Sequence, residues 1–271
     1  MAILDLTTLR DGAPVQGIQT NRAFAKCVAI TNTTGLPTEY VVSTAAIAVS
    51  DTDTTLALET VDGVAAGVGD EVYLEKGTIL TFGANILTLA ANVTVTSTGN
   101  AVDIYPAAAI IAADSETTVF GLVRLPVSEI GNWNQTINNV DVKTLGFGEQ
   151  MQMERVSAQW TPNLNLIIPP NNVAYYKHVL PACDNYEGYT GRLWLFMAVP
   201  ADNAGNFEYG VGPALVSINA DPVPKDEVRR PVIQAEMQYP YIKTTTYANE
   251  SAERQALIEI ACSTAGVAVP A

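Results

Sequence analysis

The sequence predicts a mainly β chain with one or two short helices: a β-sandwich or barrel core with a small β domain inserted in it. Three observations carry this. Short runs that alternate Thr with Val, Ile or Leu recur along the first half, and clusters of Gly, Asn and Asp separate them. Charge is unevenly placed: residues 34–118 hold eleven acidic residues and one basic residue, Lys76, a net −10, whereas the rest of the chain nets −4. All three Trp and most of the Tyr lie beyond residue 118. The shift in composition sets the boundaries at 34–118 for a small acidic accessory module, and at 1–33 with 119–271 for a host core with an N-terminal arm.

In the acidic module, strands are predicted at Leu56–Glu59, Ile79–Phe82, Ile86–Leu89 and Val93–Thr96, the last alternating strictly as a half-buried strand should. Turn residues stand between them at Asp62-Gly63, Gly67-Val68-Gly69-Asp70, Gly83-Ala84-Asn85 and Gly99-Asn100. A faint repeat relates 56–70 to 102–114. Each copy is a strand, a small-residue crossover and an acidic residue, as two halves of a small barrel would be.

In the host core, Arg192–Val199 is nearly continuous in apolar character, which predicts a central strand buried on both faces. Phe207–Ile218 and Val232–Ile242 are further strands. Between Asn172 and Asn185, Val173, Tyr176 and Val179-Leu180 recur at helical spacing, but the segment stays open between helix and strand. Ala252–Ala261 forms a short helix capped by Ser251.

Apolar residues make up 48% of the 271 and charged residues only 15%, below the usual ~25%. So light a charge leaves surface that need not face water, through assembly or through a Thr- and Asn-rich exterior. The net charge of −14, with no basic cluster beyond Arg229-Arg230, argues against gripping nucleic acid or an anionic membrane. Cys27, Cys183 and Cys262 form no CxxC pair, so buried reduced thiols are expected rather than disulfides or zinc. Met1–Arg10 lacks the basic and apolar regions of a signal peptide, and Pro106–Ala113 is too short to span a bilayer. The expectation is maturation in a reducing cytoplasm, with Asn92-Val93-Thr94 a chance sequon.

No constellation for chemistry stands out. His178 is the single histidine and is expected to be structural or exposed. There is no G-x-S-x-G elbow, and neither Gly67-Val68-Gly69 nor Gly146-Phe147-Gly148 continues as a phosphate loop. Asp51-Thr52-Asp53 opens like a calcium loop but lacks the Gly and distal Glu. Asp184 and Glu187, among Tyr186 and Tyr189, could line a sugar groove; a tyrosine-rich interface is the preferred alternative. No catalytic, cofactor-binding or metal-ligating set is expected, and the chain is expected not to be an enzyme.

Two stretches carry a family resemblance. The strand, Gly-x-Gly-Asp turn, Gly77-Thr78-Ile79-Leu80-Thr81-Phe82-Gly83 and Val102-Asp103-Ile104-Tyr105-Pro106 resemble an accessory β module of tailed-bacteriophage structural proteins. The remainder is similar in texture to a phage tail tube (major tail) protein, through Phe120–Pro126, Gln159–Pro169 and the strand through Trp194. The resemblance implies a β-sandwich or barrel with a flanking helix. It also implies assembly into hexameric rings that stack as a tube in the virion tail, built in the host cytoplasm. Its partners would be copies of itself, other phage tail proteins and DNA passing without sticking, with no membrane involved. Ring-to-ring arms would come from Met1–Gln19 or from Ser128–Glu149, which is polar and too long for an ordinary turn. Since −10 of the charge lies in the accessory module, lumen acidity would rest on a few core residues, with Glu129, Asp141, Glu149 and Glu154 as candidates. Competing readings are a capsid cement or decoration protein, a carbohydrate-binding fibre domain using Tyr186 and Tyr189, and last a hydrolase.

Overall fold

The structure, a computed structural model, describes residues 23–30, 35–45, 48–61, 71–107, 110–142, 152–169, 171–184, 190–200, 207–221, 229–238, 241–243 and 251–266. The chain is mainly β, with antiparallel sheets and two helical segments among these residues.

The first strand, β1 (Phe24–Ala29), pairs on one side with β10 (Val123–Leu125) and on the other with β15 (Arg192–Pro200). The sheet continues through β16 (Phe207–Ala220), β17 (Val232–Met237) and β14 (Asn163–Leu166) to β11 (Val127–Gly131). Its two end strands, β10 and β11, are consecutive in the chain and separated only by Pro126, so one bent segment links both ends into a nearly closed barrel. Proline suits that corner because it has no N–H to offer a ladder, while its carbonyl accepts from Ile167 N at 2.9 Å. A short strand, β18 (Ile242–Lys243), pairs with β16 beside Gly210 and Val211.

Alternation along these strands separates inside from outside. Ala25 and Cys27 of β1, Leu193, Leu195 and Met197 of β15, Ile233 and Ala235 of β17, and Leu164 and Leu166 of β14 share one buried cluster. As in other small barrels, side chains fill the interior. Helix α1 plugs it: a π-helical stretch, Ala174–Val179, continues as an α-helical turn, Leu180–Cys183, and buries Ala174, Tyr175, Val179 and Ala182. The π geometry follows from Pro181, which cannot donate to the carbonyl four residues back and clashes with it in a regular helix. The chain instead bonds Leu180 N to Tyr175 O, five residues back.

The opposite faces of the same strands form a second cluster. Trp194, Phe196 and Ala198 of β15 and Val211 of β16 pack against Ile258, Ala261, Cys262 and Ala265 of helix α2 (Ala252–Ala265). Strand β15 is therefore buried on both faces, as its continuous apolar run predicts. Ser251 caps α2 by accepting from Arg254 N, as expected, and the helix runs four residues past its predicted end because Gly266, at φ 72°, supplies the left-handed stop.

Between β1 and β10 in the chain lie eight strands: β2 (Glu39–Thr44), β3 (Thr55–Thr60), β4 (Glu71–Leu74), β5 (Ile79–Phe82), β6 (Asn85–Leu89), β7 (Val93–Thr96), β8 (Asn100–Tyr105) and β9 (Glu116–Phe120). They form a six-stranded sheet, β5-β6-β8-β3-β2-β9, and a β4-β7 pair, around a core of their own that includes Leu58, Leu74, Leu80, Leu89 and Val95. The two halves of the faint repeat meet directly, since β3 pairs with β8 at Leu56 and Val102.

The C-terminus of α2 ties this unit to the barrel. Thr78 Oγ1 donates to Thr264 O at 3.4 Å, Ser263 Oγ donates to Ile79 O, and Phe120 N donates to Thr264 Oγ1 at 3.1 Å. Lys26 projects from β1 into the same junction. Its ammonium pairs with Glu75 at 3.1 Å and donates to Thr264 O at 3.4 Å, while Glu75 accepts from Arg124 N at 2.8 Å.

Two expectations need correction. Ser128–Glu149 is not one long loop: it contributes β11 to the barrel and then β12 (Thr136–Val142), which pairs with β13 (Gln152–Gln159). A bulge between Asn138 and Asn139 breaks the alternation of Ile137, Val140 and Val142, which hides the strand from a period-two reading. Val232–Ile242 is two strands, because β17 ends at Met237.

Candidate assembly surfaces

Two surfaces stand out once the barrel is laid out. One is its uncovered wall. Helix α2 covers the outer face across β1, β15 and the first half of β16; among the described residues no helix packs on the outer face of the second half of β16, β17, β14 and β11. Cross-strand pairing places Gly131, Asn163, Gln234 and Ser217 in one row over four strands. A second row holds Glu129, Asn165 and Val232, and a third Glu236, Leu215 and Arg192. The acidic groups on these rows are Glu129, which accepts from Asn165 Nδ2 at 3.2 Å, and Glu236, which accepts from Gln159 Nε2 at 3.2 Å. The basic residue on these rows is Arg192, at the β15 end of the third. Arg192 on β15 and Arg230 before β17 stand at the margins.

The other surface is the β12–β13 hairpin. It forms a two-stranded sheet of its own, extending the chain between the barrel residues Gly131 and Asn163. With seven and eight residues in its strands, it reaches about 25 Å from its base. Among the described residues no further strand pairs with either of its edges, the condition under which a strand pairs with another chain. At the base, Ile137 is 50% exposed.

Of the candidate lumen acids, Glu129 lies on the uncovered wall. Asp141 and Glu154 lie on neighbouring rungs of the hairpin, paired with Met153 and Val140. Glu149 lies outside the described residues, as do Met1–Gln19, both Gly-x-Gly segments, Glu187, Tyr186 and Tyr189. Glu236 lies on the same wall as Glu129. Its place there is not legible in the sequence, because a single Glu in an alternating strand carries no signal until the partners of that strand are known.

The remaining groups with chemical potential are held by packing. His178 Nδ1 accepts from Ala29 N at 3.3 Å, and burial, with Lys177 nearby, lowers its pKa to about 4. Burial raises the thiols of Cys183 and Cys262 to about 12 and that of Cys27 further still. Asp53 closes a turn by accepting from Ser50 N at 2.8 Å, and the described residues contain no cluster able to hold a metal ion. Asp221 forms an ion pair with Arg229, whose guanidinium stacks over Tyr175 at the barrel end plugged by α1. No helix among the described residues is long and apolar enough to cross a membrane. Neither a scan of protein-family models nor a search of curated proteins returns a match to this chain.

Proposed function

We propose that this chain is a structural virion subunit that assembles with copies of itself into stacked hexameric rings, forming a phage tail tube through which DNA passes. The observation that carries the reading is the β12–β13 hairpin, which leaves the barrel with no further strand on either edge among the described residues. A two-stranded sheet standing alone is marginal in water, and contact with a neighbouring copy supplies the surface it lacks. Rings joined through such an arm make a heterologous contact that repeats without closing, which yields a filament.

The channel of this assembly lies between copies, because the barrel interior is filled by Trp160, Tyr175 and the Leu and Met side chains around them. A wall that lets DNA slide offers few cations to the phosphates. The uncovered wall meets that need with Glu129, Glu236 and a row of amides and hydroxyls. It is the face this reading turns toward the lumen. The β2–β9 unit, with most of the net negative charge, is tied to the barrel beside α2, and this reading turns it outward.

Negative-stain microscopy of the purified protein tests the reading. Hollow tubes or six-membered rings are expected. Trimers, or monomers at every concentration up to the solubility limit, would contradict it and favour a capsid-decorating or fibre role.

A further inference from the structure

Trp133 and Trp160 flank the hairpin, one just before β12 and the other immediately after β13. Their rings meet edge to face at 5.0 Å, and Tyr241 lies 5.7 Å from Trp160. The Lys243 ammonium sits over both indoles, 5.3 Å from Trp133 and 5.5 Å from Trp160, and donates to Trp133 O. Trp133 Nε1 donates to Glu208 at 2.8 Å, and Gln135 donates to the Tyr241 hydroxyl at 3.3 Å. Beneath them is Gly210 of β16, where a Cβ would lie 2.0 Å from the Trp160 ring. Both ends of the hairpin are thus gripped at one place, on a glycine that lets the indole lie against the backbone.

We propose that Lys243 is a positioning residue that clasps the two indoles and keeps the β12–β13 hairpin ordered, at a fixed angle to the barrel, before any partner binds. The inference goes beyond the tube reading, since it concerns the free chain. A cation between two indole faces draws them together through the ring quadrupoles, most strongly where water is excluded. Burial lowers the Lys243 pKa while Glu208 favours its charged form, as a cation held in a partly desolvated cage requires. A hairpin ordered in advance loses less conformational freedom on association than one that folds on its partner.

Hydrogen exchange followed by mass spectrometry on the unassembled protein, kept apart by dilution, tests this. In the wild type, amides of 136–142 and 152–159 are protected. In Lys243→Met their exchange accelerates at least tenfold, exchange in β1 and β15 changes less than twofold, and Lys243→Arg restores protection. If Lys243→Met does not fold, Trp133→Phe, which loses the bond to Glu208 and keeps an aromatic ring, shows the same selective acceleration at threefold or more. An unprotected hairpin in the wild type, an unchanged hairpin in the variants, or equal acceleration throughout the barrel would overturn the proposal. Tube formation is scored separately: a loosened hairpin with unaltered assembly keeps the clasp and removes the hairpin from the tube reading.

Discussion

Replacing Glu75 by Gln isolates the buried ammonium of Lys26, and the size of the effect follows from the junction. The Lys26 side chain is 6% exposed and that of Glu75 19%. The amide oxygen of the new glutamine can still accept from Arg124 N, which turns its NH2, a donor, toward the Lys26 ammonium, so the change removes both the charge and the acceptor that faced the lysine. Lys26 then keeps only Thr264 O, and burial already lowers its pKa in the wild type, against the opposing pull of Glu75. Removing one partner of a buried pair costs about 3–5 kcal/mol. The cost has a ceiling, because the lysine can shed its proton: holding a group of pKa about 10.4 neutral costs at most about 4.6 kcal/mol at pH 7 and about 1.9 kcal/mol at pH 9. In the variant the unfolded chain binds the extra proton, so stability rises with pH across this window. Urea denaturation followed by tryptophan fluorescence reports on the barrel, which holds all three indoles. The expected deficit is about 3–4.6 kcal/mol at pH 7, shrinking toward pH 9. Lys26→Met in the same background recovers all but about 1–2 kcal/mol, since no charge is left buried. A deficit under 1 kcal/mol at pH 7, or one that does not vary with pH, would mean that Lys26 is not a buried cation held by Glu75.

Three further outcomes follow from single positions. Gly266→Ala forces a left-handed Ala and places its Cβ 2.3 Å from Gly77 O, so urea denaturation should show a loss of about 2–4 kcal/mol; a change under 0.5 kcal/mol contradicts the tight junction. His178 has a folded pKa of about 4 against about 6.5 unfolded, so its contribution is complete above pH 6.5 and is lost as pH falls toward 4. The wild type should therefore lose about 2 kcal/mol between pH 7 and 4.5 that His178→Gln does not, in paired denaturation series. The folded protein should leave Cys27, Cys183 and Cys262 unreacted with a thiol reagent over minutes and react at all three on unfolding; rapid labelling of Cys27 or Cys262 in the native state contradicts their burial.

What the sequence makes legible is whatever one segment decides alone. Ile79–Phe82 and Val93–Thr96 alternate cleanly and are strands at those bounds. Arg192–Val199 announces burial on both faces because it has no polar face to offer water. Ser251 announces the start of α2, and the helix stops at the left-handed Gly266, running four residues past the predicted end at Ala261. Strand β1 carries a lysine at a position that proves buried, which no local pattern marks, because the partner that makes it tolerable is Glu75. The hairpin is hidden by its bulge. The uncovered wall is hidden for a different reason: Glu129, Asn163, Gln234 and Ser217 come from four distant segments and become one surface only through strand order. The clasp at Lys243 likewise joins residues from 133 to 243, and each looks ordinary where it stands.

The central claim is that copies of this chain join through the β12–β13 hairpin. Replacing residues 139–156 by an Asn-Gly turn leaves Asn138 opposite Ser157, the pairing they already have, and keeps Trp133 and Trp160 in place. Sedimentation velocity on the wild type and this shortened variant tests the claim most directly. The account predicts large stacked species for the wild type and nothing beyond a single ring for the variant, with unchanged far-ultraviolet circular dichroism of the barrel. Wild type and variant sedimenting alike, whether as monomers or as equal assemblies, would contradict it.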